Sequence, residues 1–87
     1  MKKVNNLKKK AAILRSILER YAQEDRDAAM VLRFMTSLFE EIDRGEVVPP
    51  MENKYAWYFF NTNSPLVEYV DLVEAAAEYA SALKSSE

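Results

Sequence analysis

Two pairs of carboxylates in this chain are spaced for chemistry: Glu40 with Asp43, and Asp71 with Glu74. Residues three apart share one face of a helix, so each pair would set two oxygen donors side by side. Two such pairs on facing helices could hold Mg²⁺, a hard cation that takes carboxylate oxygens. Most other chemistry is closed to the chain. It has no histidine and no cysteine, which removes zinc sites, cysteine nucleophiles, Ser-His-Asp triads and histidine acid–base catalysis. Its single glycine, Gly45, cannot build a Gly-rich phosphate loop or a dinucleotide fingerprint, which need several at fixed spacing.

The carboxylate spacing resembles that of the all-α nucleotide pyrophosphatases, which use Glu and Asp in this pattern. The resemblance implies a Mg²⁺-dependent nucleotide hydrolase. It rests on four residues, and no companion cluster of Lys, Arg and Asn stands at an obvious position. Acids three apart are also ordinary on solvated helix faces. The chain is therefore read as non-catalytic, without metal or cofactor, and the Mg²⁺-dependent enzyme is kept as an alternative.

A different set of residues suits binding. Tyr55, Trp57, Tyr58, Phe59 and Phe60 fill five of six consecutive positions and are half of the chain's aromatic residues. Apolar side chains in such a run point in every direction, so no single helix or strand face can hide them. One reading buries Tyr55, Tyr58 and Phe59 with Met51 and closes Trp57 and Phe60 against neighbouring helices. The other leaves Trp57 and one or two tyrosines exposed as anchors of a protein interface, where Trp and Tyr dominate binding energy. At least one of Trp57, Tyr58 and Phe60 is expected at the surface. Base stacking is poorly served, because Lys54 is the only cation in the segment.

Charge supplies the remaining candidates, Lys8, Lys9 and Lys10. The net charge is only −2, yet residues 1–20 hold seven bases against Glu19, and residues 66–87 hold five acids against Lys84. Cations at a helix start oppose its dipole, so these lysines do not serve their own helix. They either pair internally with Asp71, Glu74 and Glu78 or meet an acidic protein. Nucleic acid is disfavoured, because a duplex needs a larger cationic footprint than one short arm.

The elements that must position these groups follow from periodicity. Leu7, Ala11, Leu14, Leu18 and Tyr21 recur at 4-3-4-3 spacing and predict a helix over 6–23, with Asn5 or Asn6 as its cap. A second helix over 26–44, capped by Asp25 or Asp27, would bury Ala28, Val31, Leu32, Met35, Leu38, Phe39 and Ile42 and stop at Gly45. The heptad register also survives the polar cluster at 23–27 except at Asp25. One helix over 7–42, on the order of 55 Å long, is therefore the alternative, and it would need a second chain to bury its seam. A short aromatic helix is expected over 52–61. Ser64-Pro65 reads as a cap followed by a first-turn proline, opening a last helix over 65–84. Its buried residues would be Leu66, Tyr69, Val70, Leu72, Val73, Ala76, Ala77, Ala80 and Leu83.

The expected fold is thus all-α, a compact antiparallel bundle of three longer helices and one short aromatic-rich helix in a single domain. Apolar residues at 49% and charged residues at 30% suit a folded chain. No apolar stretch is long enough to span a bilayer, and no signal core follows the first lysines, so a cytoplasmic protein is expected. The order of long helix, long helix, proline loop, short helix and final helix resembles bacteriocin-immunity bundles, and no motif carries that likeness. The expected role is binding another protein, as an inhibitor, an immunity or antitoxin-type protein, or an adaptor. A homodimer on the long heptad seam is the structural alternative.

Overall fold

The chain first reverses at Asp25. Its Oδ1 accepts hydrogen bonds from the backbone N–H groups of Asp27 at 2.8 Å and Ala28 at 3.2 Å, two donors that a helix start leaves unpaired. The computed structural model describes residues 2–84, with four helices: α1 Lys2–Ala22, α2 Arg26–Asp43, α3 Ala56–Phe60 and α4 Val70–Lys84. The turn at 23–25 folds α2 back on α1, so the continuous helix over 7–42 does not form. Leu7, Leu14 and Leu18 of its seam are fully buried within the protomer, whose longest dimension is 36 Å.

Gly45 ends α2 with φ +75°, a left-handed conformation that a side chain would strain. Around it Glu46 N–H donates to the Glu41 carbonyl at 2.9 Å and Gly45 N–H to the Ile42 carbonyl at 3.0 Å. This double bond pattern closes the last carbonyls of the helix. The following loop is pinned to the C-terminal end of α4, at the same end of the bundle, where Met51 N–H donates to the Leu83 carbonyl at 2.8 Å.

α1 packs against both α2 and α4. Arg20, late in α1, bonds Asp71 at the start of α4, while Lys10, earlier in α1, meets Glu78 further along α4. α1 therefore runs antiparallel to both neighbours, which flank it. The Phe39 and Tyr79 rings bridge those neighbours edge-on at 6.4 Å. The core comprises Leu7, Leu14 and Leu18 from α1, Val31, Met35, Phe39 and Ile42 from α2, Phe59 from α3, and Leu72, Ala76, Tyr79 and Leu83 from α4. Full burial of each large apolar side chain contributes roughly 1.5–3 kcal/mol, opposed by the chain entropy lost in folding.

Every helix differs from expectation at one end or both. α1 begins at Lys2, so Asn5 and Asn6 lie inside it rather than capping it. Tertiary contact carries that first turn: Val4 and Lys8 lie 3.9 and 3.5 Å from where a Cβ on Gly45 would stand. α2 ends at Asp43, one residue early. α3 is confined to Ala56–Phe60, because Asn53 Oδ1 accepts from Tyr55 N–H at 3.3 Å and holds its approach in a turn.

α4 begins at Val70, not Pro65. Ser64 is buried, and its hydroxyl donates to the Tyr58 carbonyl at 2.5 Å while accepting from Leu66 N–H at 3.3 Å. The next residues make tight turns, with Val67 N–H bonded to the Ser64 carbonyl and Tyr69 N–H to the Leu66 carbonyl. The buried stripe of α4 shifts accordingly. Tyr79, Ala75 and Ala82 are inside, while Val70 is 68% exposed and Ala77 is exposed.

Candidate functional site

Lys8, Lys9 and Lys10 go to three different places. The Lys8 stem runs over Gly45, with Cε 3.5 Å and Nζ 3.6 Å from the position of a Cβ there. That puts a cation at the negative end of α2, where it is favourable; because α1 begins at Lys2, Lys8 lies beyond the first turn of its own helix, where the dipole was expected to oppose it. Lys10 Nζ bonds Glu78 Oε1 at 2.7 Å, and this bond and the lysine charge hold the Glu78 carboxyl below its usual range. Only Lys9 of the three is exposed. Of the three, Lys10 alone forms an ion pair among the described residues, while Lys8 lies over the residue that ends α2.

The two carboxylate pairs are not brought together. Glu40 adjoins Phe39, which is level with Tyr79. Tyr79 is roughly 12 Å along α4 from Asp71, at 1.5 Å per residue. Asp71 is already engaged, accepting from Arg20 at 2.6 Å through Oδ2 and from Tyr21 Oη at 2.6 Å through Oδ1. Among the described residues no three acids are close enough to share a cation. The Mg²⁺ clamp of Glu40, Asp43, Asp71 and Glu74, kept as an alternative, is therefore not assembled among the described residues, because α2 and α4 present the pairs at different levels.

Asp71 belongs instead to a closed corner. The Tyr21 and Tyr69 rings stack at 4.2 Å with 17° between planes. Tyr21 Oη donates to Asp71, and Tyr69 Oη donates to Asp25 Oδ2. Each phenol thus reaches a carboxylate on another segment, which ties the α1–α2 turn to the start of α4. The Tyr69 bond and the capping N–H groups of Ala28 and Asp27 hold the Asp25 carboxyl below its ordinary range. The Tyr21 bond, the Leu72 N–H and the Arg20 charge do the same for Asp71. Conversely, the bond to Asp25 pushes the Tyr69 phenol up to about 12.

The aromatic run is divided by α3. Phe59 is buried against the core and Tyr55, Tyr58 and Met51 are partly buried beside it. Trp57 is 49% exposed and Phe60 is 40% exposed. Successive rings continue from Trp57 to Tyr58 at 5.4 Å, edge-on, and from Tyr58 to Phe34 on α2 at 6.3 Å. Tyr55 Oη donates to the Phe34 carbonyl at 3.2 Å, holding the approach to α3 against α2. The result is a surface strip of aromatic rings across two helices.

Two members of this neighbourhood lay outside the residues singled out from sequence: Phe34, 46% exposed, and Met30, 36% exposed. The available signal was their position four apart on α2 and off its buried stripe. No family model matches the chain, and no curated protein and no solved structure matches it either. The likeness in element order to bacteriocin-immunity bundles thus has no match in sequence or structure behind it.

Proposed function

We propose that this is a non-catalytic protein-binding module that blocks or recruits another protein through the strip formed by Trp57, Tyr58, Phe60 and Phe34. The observation that supports this reading is the half exposure of Trp57 and Phe34 along one run of rings, with exposed Phe60 three residues from Trp57 on the same helix. A tryptophan held edge-on by a neighbouring ring loses little conformational freedom on binding, and it offers a large apolar area with one donor. Inhibitor, immunity or antitoxin-type and adaptor roles all fit a helical scaffold that presents such a strip. Tyr55 acts as support, since its hydroxyl is engaged by Phe34. The internal contacts of Lys8 and Lys10 leave Lys9 as the open member of the basic arm.

The test compares variants in co-purification from the native cell. A partner retained by the wild type and by Lys9→Glu, and lost by Trp57→Ala with helical content unchanged, is the expected result. Retention by Trp57→Ala at wild-type strength would overturn the assignment of this face.

A further inference from the structure

The aromatic face carries both a knob and a hole. Trp57 stands out from α3, 49% exposed. Nearby, a groove of about 190 Å³ lies between α2 and the segment entering α3, its apolar wall formed by Phe34, Leu38, Met51 and Tyr55. Tyr58 links the two features, its ring 5.4 Å from that of Trp57 and 6.5 Å from that of Tyr55.

The same groove is lined by one acid, Glu41, and one base, Lys54. Neither has an ion-pair partner among the described residues. A strongly acidic or basic partner would be met by a rim of one sign; this rim has both. Mixed signs suit a two-fold contact, where a surface meets itself and the acid of each copy can face the base of the other. A net charge of −2 offers little long-range opposition to such pairing.

Area permits it as well. The exposures of Phe34, Trp57 and Phe60 leave on the order of 300 Å² of ring surface open. A standard contact covers roughly 800 Å² per partner, a little over half of it apolar. The open rings thus supply the larger part of the apolar area that such a contact needs.

The geometry points to a second copy of this chain as the occupant of the face in the isolated protein: Trp57 of each protomer enters the Phe34–Tyr55 groove of the other, and Glu41 of each faces Lys54 of the other. This rests on the reading of the face as protein-binding and names what covers it.

Sedimentation velocity on the full chain, from micromolar to millimolar concentration, tests it. The expected result is a concentration-dependent dimer that Trp57→Ala weakens by roughly 30-fold or more. Glu41→Lys and Lys54→Glu should each weaken it alone, by placing like charges across the two-fold. An equimolar mixture of those two variants should recover wild-type dimerisation, because both cross-copy pairs are then opposite in sign. A wild-type monomer at every concentration overturns the proposal, as does a mixture no tighter than either variant alone. Acrylamide and iodide quenching of the monomer separates the two readings. A freely quenched Trp57 in a persistent monomer removes the second copy but leaves the face open to a different protein. A shielded Trp57 in that monomer removes both.

Discussion

Two of the bundle's clusters of aromatic side chains are finished in opposite ways. At the corner where α1, α2 and α4 meet, Tyr21 and Tyr69 stack on each other and each hydroxyl is taken by a carboxylate. Rings and polar atoms there satisfy one another, and the cluster holds three segments together. Across α2 and α3 the rings of Phe34, Tyr58 and Trp57 meet only tilted or edge-on, and Trp57 and Phe34 remain about half exposed. Aromatic content alone therefore says little about role. The informative quantity is how much of each ring and its polar atoms the fold itself satisfies.

The largest expected effect comes from cutting the open face away from its support. Phe59 is 1% exposed and is the only α3 residue fully inside the core. Phe59→Ala should destabilise the domain by about 3–5 kcal/mol, the usual range for a buried phenylalanine. In a domain this small that is enough to abolish a cooperative melt near ambient temperature. An unchanged melting curve would mean that α3 contributes nothing to the core, and the contrast between its inner and outer rings would disappear.

Next in size is the corner. Asp25→Ala removes the cap of α2 and leaves Tyr69 Oη without its acceptor, at an expected loss of about 1–2 kcal/mol in chemical denaturation. The pH dependence has a definite sign. Asp25 and Asp71 both sit below the ordinary 3.8, so their stabilisation is present above that pH and is lost as the pH falls further. Tyr69 is raised from 10.0 to about 12, so its contribution is present below pH 10 and is lost as the pH climbs through that interval. Amide exchange should therefore show the start of α4 loosening first in strong acid, and tyrosinate absorbance should show a late step near pH 12. Exchange that begins in the interior of α1 instead would break the link between these pairs and the corner.

The parts of this organisation visible in the sequence are those set by local chemistry. A cap at Asp25 or Asp27, of which Asp25 is the one used, and a stop at Gly45 depend only on neighbouring backbone groups, so α2 was readable to within a residue. Ser64-Pro65 misled because its hydroxyl has the right chemistry for a cap but a different client, the Tyr58 carbonyl, which only the fold brings near. The phase of α4 was partly hidden for another reason. Leu72, Ala76 and Leu83 were legible as buried, but the alanines make several faces almost equally apolar, and placing Tyr79 inside requires knowing where Phe39 lies. The exposed aromatic strip was half visible: five crowded rings cannot all be buried, but the contribution of Phe34 depends on α3 docking beside α2.

A smaller effect of opposite sign is expected at Tyr79. Its ring is 1% exposed, and its hydroxyl is buried without a hydrogen-bond partner among the described residues. Burial pushes this phenol up to about 12. Tyr79→Phe keeps the ring against Phe39 and removes the unpaired group, so stability should rise by about 1 kcal/mol. A loss of stability instead would show that the hydroxyl is satisfied in solution, making this position resemble the closed corner.

The smallest expected change is in the stability of Trp57→Ala, and it bears most directly on the contrast between the clusters. Trp57 touches Tyr58 edge-on but sits outside the buried core, with about half of its surface already in water. Its removal should therefore alter the unfolding free energy of the monomer by no more than about 0.5 kcal/mol, the range of ordinary surface substitutions. Measured at a concentration low enough to exclude association, the melt should nearly overlay the wild type, while Phe59→Ala, two positions away, should lose most of its stability. If Trp57→Ala instead costs as much as a core truncation, the ring is structural. Its exposure would then belong to the scaffold, and the open cluster would do the same work as the closed one.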